Sequence, residues 1–171
     1  MSEVIKAKNR GRAFESRVAK FFGTVRTPLS GGASRHTRSD TLHTRLFVEA
    51  KHRGGHSIRA AYERARAARD DARRDALILH DEDHGWMTAV ASNSWNLLRK
   101  SPYESLFLHP NIRHAVKRKH TAVGALLQHT RALAALEEKT AMVCLGDKNR
   151  PGFLIVVFDE DWDAARKEAG G

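Results

Sequence analysis

The chain reads as an α/β domain, a mixed β-sheet flanked by helices, and three observations predict it. Phe14, Val18, Phe21 and Phe22 recur at helical spacing over about Lys8 to Phe22. The apolar run Leu46-Phe47-Val48-Glu49-Ala50-Lys51 has the length and composition of a buried strand. A unit of helix, strand, turn and strand then occurs twice, over about 57–91 and again over about 121–158. With 171 residues in total, a single domain over 1–171 can bury its core without disulfides or structural metal.

The elements follow in order. Glu15 borders the apolar stripe of the first helix, sharing a side with Ala19 and Phe22, and Gly23 marks the helix end. The stretch from Ser30 to Ser39 is small, polar and basic, a loop whose backbone N–H groups, hydroxyls and two arginines (Arg35 and Arg38) suit phosphate contact. An Ala/Arg-rich helix over about Ser57 to Arg74 leads to a strand ending at His80. A turn at Asp81–Gly85, a strand from Trp86 to Ala91 and a short helix over Ser92–Arg99 come next. The second unit has a helix over Thr121–Lys139, strands at Ala141–Leu145 and Phe153–Phe158, and an acidic helix start at Asp159–Trp162. The two units align at an offset of 65 through Ala76 and Ala141, and a ten-residue spacing from Gly to Trp recurs as Gly85/Trp95 and Gly152/Trp162. An internal duplication accounts for this echo, and so does an insertion over about 54–117 in a smaller core.

Charge restricts the partners. The formal net charge is +10 with a pI near 10.3, which favours a polyanion. Residues 1–56 hold 12 Lys/Arg against 4 Asp/Glu, a net +8 of the total. Aromatic content is 7 %, without the basic–aromatic interleaving of RNA-recognition sheets, so phosphates and DNA shape carry recognition. Cys144, the one cysteine, sits in an apolar stretch and reads as a small core hydrophobe. The histidines show no zinc spacing. His43 fits a local turn bond, while His80, His84 and His109 read as surface residues. Trp86, Trp95 and Trp162 read as core or dimer contacts. No apolar run is long enough for a membrane span and no signal-peptide core opens the chain, so a soluble intracellular location is expected.

The chemistry concentrates on Asp40, Glu49 and Lys51. Strand alternation sets Glu49 and Lys51 on one side of the backbone at the end of a buried run. Two carboxylates offer hard oxygen ligands for Mg²⁺ or Mn²⁺, and the lysine can orient or deprotonate an attacking water.

These residues have neighbours in a recognisable order: Gly11-Arg12-Ala13-Phe14-Glu15, Arg26-Thr27-Pro28-Leu29-Ser30-Gly31-Gly32, Ser39-Asp40, then Glu49-Ala50-Lys51-His52-Arg53. The arrangement resembles the PD-(D/E)XK nuclease superfamily and, within it, Holliday-junction resolvases of archaeal and phage type. The match is tight over about 10–56, with Ser39 where the family has proline. The resemblance implies a restriction-endonuclease-like sheet carrying an additional helix–hairpin unit. It also implies a Mg²⁺-dependent endonuclease resolving four-way DNA junctions as a homodimer in a bacterial or phage-infected cell. The implied metal ligands are Asp40, Glu49, the Ala50 carbonyl and Glu15, and Lys51 joins Glu15, Asp40 and Glu49 as the catalytic group. Arg26, Ser30, Arg35, Arg38, His52 and Arg53 are the expected DNA contacts. A repair or restriction-like nuclease of the same fold, and a non-catalytic basic DNA-binding protein, are the alternatives.

Overall fold

The computed structural model describes residues 2–28, 39–54, 56, 58–60, 63, 76–107, 112–114, 119–148 and 150–170. Ser30, Arg35, Arg38 and most of the expected helix at 57–74 lie outside them. Helix α1 spans Glu3–Phe21, with Ser2 Oγ accepting from the Ile5 N–H at its start. The apolar spacing marked it only from Lys8, because its first half carries no core residue. Strand β1 spans Leu46–Arg53, β2 Ala76–Asp81 and β3 Gly85–Ala91. Helices α2 (Ser92–Leu98) and α3 (Tyr103–Phe107) and strand β4 (Ile112–His114) complete the first part. Then come α4 (Ala122–Leu136), β5 (Thr140–Asp147), β6 (Leu154–Phe158), a 3₁₀ turn at Asp159–Asp161 and α5 (Trp162–Glu168). Both α3 and β4 escaped the sequence reading, being too short for a period to register, and β5 runs two residues past Leu145.

Among the described residues the six strands form one mixed sheet in the order β1-β5-β6-β3-β2-β4. The pairs β1–β5 and β2–β4 are parallel and the other three antiparallel. One face is covered by Phe14, Val18 and Phe22 at α1, Trp95 and Leu98 of α2, and Trp162 and Ala165 of α5. The opposite face is covered by Val123, Leu127 and Ala134 of α4. Alternation along each strand feeds both layers: Met142 and Cys144 point to the first, Val143 and Leu145 to the second. Cys144 is fully buried, as a small hydrophobe would be. At the top of β5, a Cβ on Gly146 would come within 2.5 Å of the Phe14 ring, so the glycine lets α1 lie close on the sheet.

A local two-fold relates the hairpins β2–β3 and β5–β6. In the central ladder Ala89 pairs with Val156, and 156 − 89 = 67 is also the offset from Trp95 to Trp162 and from Gly85 to Gly152. Those two glycines share positive φ, at 90° and 72°, which explains their recurrence. Trp95 and Trp162 are both buried and meet edge to face, ring centroids 5.6 Å apart, beside this axis. One alignment changes. Leu77 pairs with Ala89 and Val143 with Val156, so β2 and β5 correspond at 143 − 77 = 66, not 65. An offset of 65 would match Ala76 with Ala141, which pack in different core clusters, the face reversal that a one-residue slip produces.

The same offset of 66 relates Asp81 to Asp147, the last residues of β2 and β5. Asp81 accepts from Thr121 N–H at 2.7 Å and Thr121 Oγ at 2.6 Å, tying down the start of α4. Asp147 takes Arg59 Nε at 2.9 Å, with His56 3.8 Å away. The crossover from β1 returns through α4 to β5, its sheet neighbour, while the middle hairpin lies beyond β6.

Candidate functional site

The site forms where β1 meets a short ladder. Arg26 and Thr41 form an antiparallel bridge, Thr27 N–H donates to Asp40 O at 3.0 Å, and Leu42 N–H to Val25 O at 3.0 Å. This ladder lies along the edge of β1 away from β5. Asp40 N–H donates to Val48 O at 2.9 Å, and Val48 N–H donates to Ser39 Oγ at 3.0 Å. Thr27 Oγ donates to Ser39 O at 2.7 Å. Ser39 stands where the resembled family has proline, and its hydroxyl fastens the loop to the strand. A short polar side chain next to the candidate acid was the signal for that role.

The Asp40 side chain then meets the strand. Its Oδ2 accepts from the Ala50 N–H at 2.8 Å. An extended residue presents its N–H and C=O to the same edge, so the Ala50 carbonyl faces the side on which Asp40 sits. Glu49 and Lys51 project together and form an ion pair at 2.5 Å. Asp40 is only 8 % exposed. Burial first, then the charge of Glu49, raises its pKa to about 7, with Glu15 adding to the rise and the Ala50 N–H and Lys51 opposing it. Glu49 and Lys51 therefore both act on the Asp40 carboxyl, one raising and the other lowering its pKa.

Lys51 also shifts upward, which for an ammonium favours the charged form. Burial lowers its pKa, but the hydrogen bond and charge of Glu49, with the charge of Asp40, outweigh that, and the net shift is upward. The ammonium is thus held in its charged form.

The donor set suits a hard cation. Two carboxylates and a carbonyl are oxygen donors, and the pKa of Asp40, raised first by burial and then by the charge of Glu49, marks a carboxylate whose ionised form a cation would favour. Among the described residues, no group of three or more His, Cys, Asp or Glu side chains is arranged to hold an ion. Glu15, on α1, is turned to Arg26 Nη1 at 3.5 Å. The carboxylates nearest one another here are thus those of Asp40 and Glu49, the latter paired with Lys51.

The remaining expected residues divide. Arg26 also donates to Thr27 O at 3.2 Å, so this guanidinium organises the ladder and Glu15. His52 faces the other side of β1 from Lys51, its ring 5.4 Å from that of Phe14. Arg53 is exposed on the Lys51 side. His43 Nδ1 accepts from the N–H groups of Arg45 at 3.1 Å and Leu46 at 2.9 Å, a structural bond at the entry to β1.

His84, read as a surface residue, and Trp86, read as a core or dimer contact, are placed otherwise: the first is not at the surface and the second is not in the core. His84 is mostly buried, with Nδ1 3.0 Å from Asp81 Oδ2. Trp86 is 40 % exposed, its ring 4.7 Å from that of His80. Trp86 belongs to a cavity of about 580 Å³ lined also by His84, Tyr103, Phe158, Asp159 and Glu160. This cavity shares no residue with the Asp40 site, and its two carboxylates do not suit a phosphate. No helix among the described residues is long and apolar enough to cross a membrane. Set against family models, curated proteins and solved structures, the chain matches none.

Proposed function

We propose that the chain is a metal-dependent endonuclease of restriction-endonuclease-like fold that hydrolyses DNA phosphodiesters, with four-way junctions as its substrate and a homodimer as its working form. The observation that carries this reading is the Asp40 carboxyl fixed at the edge of β1 by the Ala50 N–H, within electrostatic reach of the paired Glu49 and Lys51. The order α1, short ladder, β1, crossover through α4, and β5 parallel to β1 agrees with the proposed fold. Asp40, Glu49 and the Ala50 carbonyl would hold Mg²⁺ or Mn²⁺, with Glu15 reaching it through water. When bound, the ion supplies Lewis-acid polarisation of a phosphoryl oxygen and a water of lowered pKa.

The side chains supply the rest. Lys51, kept protonated, orients the attacking water by donating to it and offsets negative charge that builds on the phosphorus oxygens. A lysine held charged is poorly suited to take a proton, so of its two expected roles the positioning one is favoured. Glu49 fixes the lysine and offers its carboxylate to the cation. The positive excess over 1–56 draws the polyanion to this edge.

The test is cleavage of a synthetic four-way junction against linear, flap and nicked duplexes in Mg²⁺, with Asp40→Ala as control. Junction cutting that disappears in the variant while binding persists is the expected result. Equal cutting of linear duplex would remove the junction assignment. Binding without cutting in either Mg²⁺ or Mn²⁺ would leave a basic DNA-binding protein.

A further inference from the structure

The cavity of about 580 Å³ at Trp86 joins aromatic walls to acids. Alternation along β3 sets Trp86 and Thr88 on one side of the sheet, and Thr88 Oγ donates to Asp159 Oδ1 at 2.6 Å. The Tyr103 hydroxyl donates to the other oxygen of Asp159. Trp86, Tyr103 and the Asp159 carboxyl therefore meet on one face of the sheet. Asp159 is 7 % exposed and Trp86 40 %, so the acid lies at the base of the cavity and the indole at its mouth. Burial and the adjacent acid raise the Tyr103 pKa, which keeps the phenol a donor.

Charge indicates the ligand. The chain carries +10 overall, yet no lysine or arginine is among the described residues that line this cavity. Arg131 pairs with Glu160 and, at 3.1 Å, with Asp161. The three acids Asp159, Glu160 and Asp161 against that one guanidinium leave a formal charge of −2. His84 adds no unbalanced charge, because its Nδ1 faces Asp81 Oδ2 at 3.0 Å. The chain already joins a cation to an aromatic face next to the cavity: Arg131 lies over the Phe158 ring, 5.1 Å from its centroid. The volume falls in the range of small-molecule sites, and a single amino-acid side chain would fill only a fraction of it.

We infer that this cavity binds a small organic cation, a planar amidinium or guanidinium on a flat apolar body, stacked on Trp86 with its N–H groups toward Glu160 and Asp159. A delocalised cation of that shape is weakly hydrated, lies on an indole face and forks onto a carboxylate. An anionic ligand would be repelled by the two acids. The site is separate from the Asp40 edge and does not rest on the nuclease reading.

The test compares benzamidine, benzamide and benzoate, alike in shape and different in charge, by calorimetry with the full chain. Benzamidine should bind about tenfold more tightly than benzamide, and benzoate should not bind. In a proton–nitrogen correlation spectrum of the isotope-labelled chain, benzamidine should shift the indole N–H of Trp86 and leave those of buried Trp95 and Trp162 in place. Trp86→Leu identifies its own peak by removing it and should weaken benzamidine about tenfold. Glu160→Gln should cut the preference over benzamide about threefold. Leu136→Ala, at an exposed position outside the cavity, should match wild type, and retained Trp95 and Trp162 peaks verify the fold of each variant. Acetyl-arginine methylamide, a stand-in for a protein side chain, should bind more weakly than benzamidine, having rotamers to freeze and no flat body. Equal binding of benzamide, failure of all three probes, or an affinity unchanged in Trp86→Leu overturns the inference. So does a preference unchanged in Glu160→Gln. Tighter binding of the arginine derivative overturns the small-molecule assignment and gives the cavity to a protein partner.

Discussion

At the scale of the residue, Asp40 has the most to answer for. It keeps a proton in the folded chain up to about pH 7, against an ordinary value of 3.8. The native state therefore binds more protons than the unfolded state between about pH 4 and 7, and this group's contribution to stability falls as pH rises through that window. Asp40→Asn removes the effect. The difference in unfolding free energy between wild type and Asp40→Asn, measured by urea titration without metal, should grow in favour of the variant from pH 4 to 7 by a few kcal/mol at most, then level off. A constant difference would show that the carboxyl is not raised. Under the proposed function Mg²⁺ binding needs the ionised form, so affinity should rise with pH to about 7 and uptake should release protons. Calorimetry in two buffers of different ionisation enthalpy reads that release, and a pH-independent affinity would contradict it.

At the scale of the element, helix α4 is held at its start. Thr121 Oγ accepts from the Gly124 N–H at 3.0 Å while donating to Asp81, so one hydroxyl caps the helix and meets a fully buried carboxylate. Thr121→Ala should cost about 1–2 kcal/mol in a urea melt, and a loss below a few tenths would mean that water replaces both bonds. The second joint is α1 on β5. Gly146→Ala drives a methyl into the Phe14 ring, and such overpacking should cost about 1–3 kcal/mol. Because α1 also carries Glu15, the ion-pair partner of Arg26 in the ladder, the same change should weaken the proposed Mg²⁺ binding if that pair helps shape the site.

At the scale of the whole molecule, the local two-fold fixes how the two hairpins share one core. The ladder between β3 and β6 and the Trp95–Trp162 contact join them. In a double-mutant cycle with Trp95→Leu and Trp162→Leu, the coupling should be about 0.5–1.5 kcal/mol. Strictly additive losses would mean that the two rings act independently. Joined in this way, the middle hairpin is part of the domain's core, and removing 76–98 would expose the β6 edge and leave Trp162 without its ring partner.

Local pattern alone specified the strand β1, both hairpins and the helices α1 and α4, because alternation and helical spacing are properties of neighbouring residues. The recurrence of Gly85/Trp95 in Gly152/Trp162 was legible for the same reason. Strand order, the 66-residue correspondence of β2 with β5, the turning of Arg26 to Glu15 and the burial of Asp40 against the Ala50 N–H were decided by tertiary structure. Each depends on a contact between segments far apart in the chain, and whether a carboxylate is stripped of water or a guanidinium finds an acid is fixed only when those segments meet. Ser39 shows the boundary well. As a letter it was a departure from a motif; in the fold its hydroxyl holds the loop that sets Asp40 beside the strand.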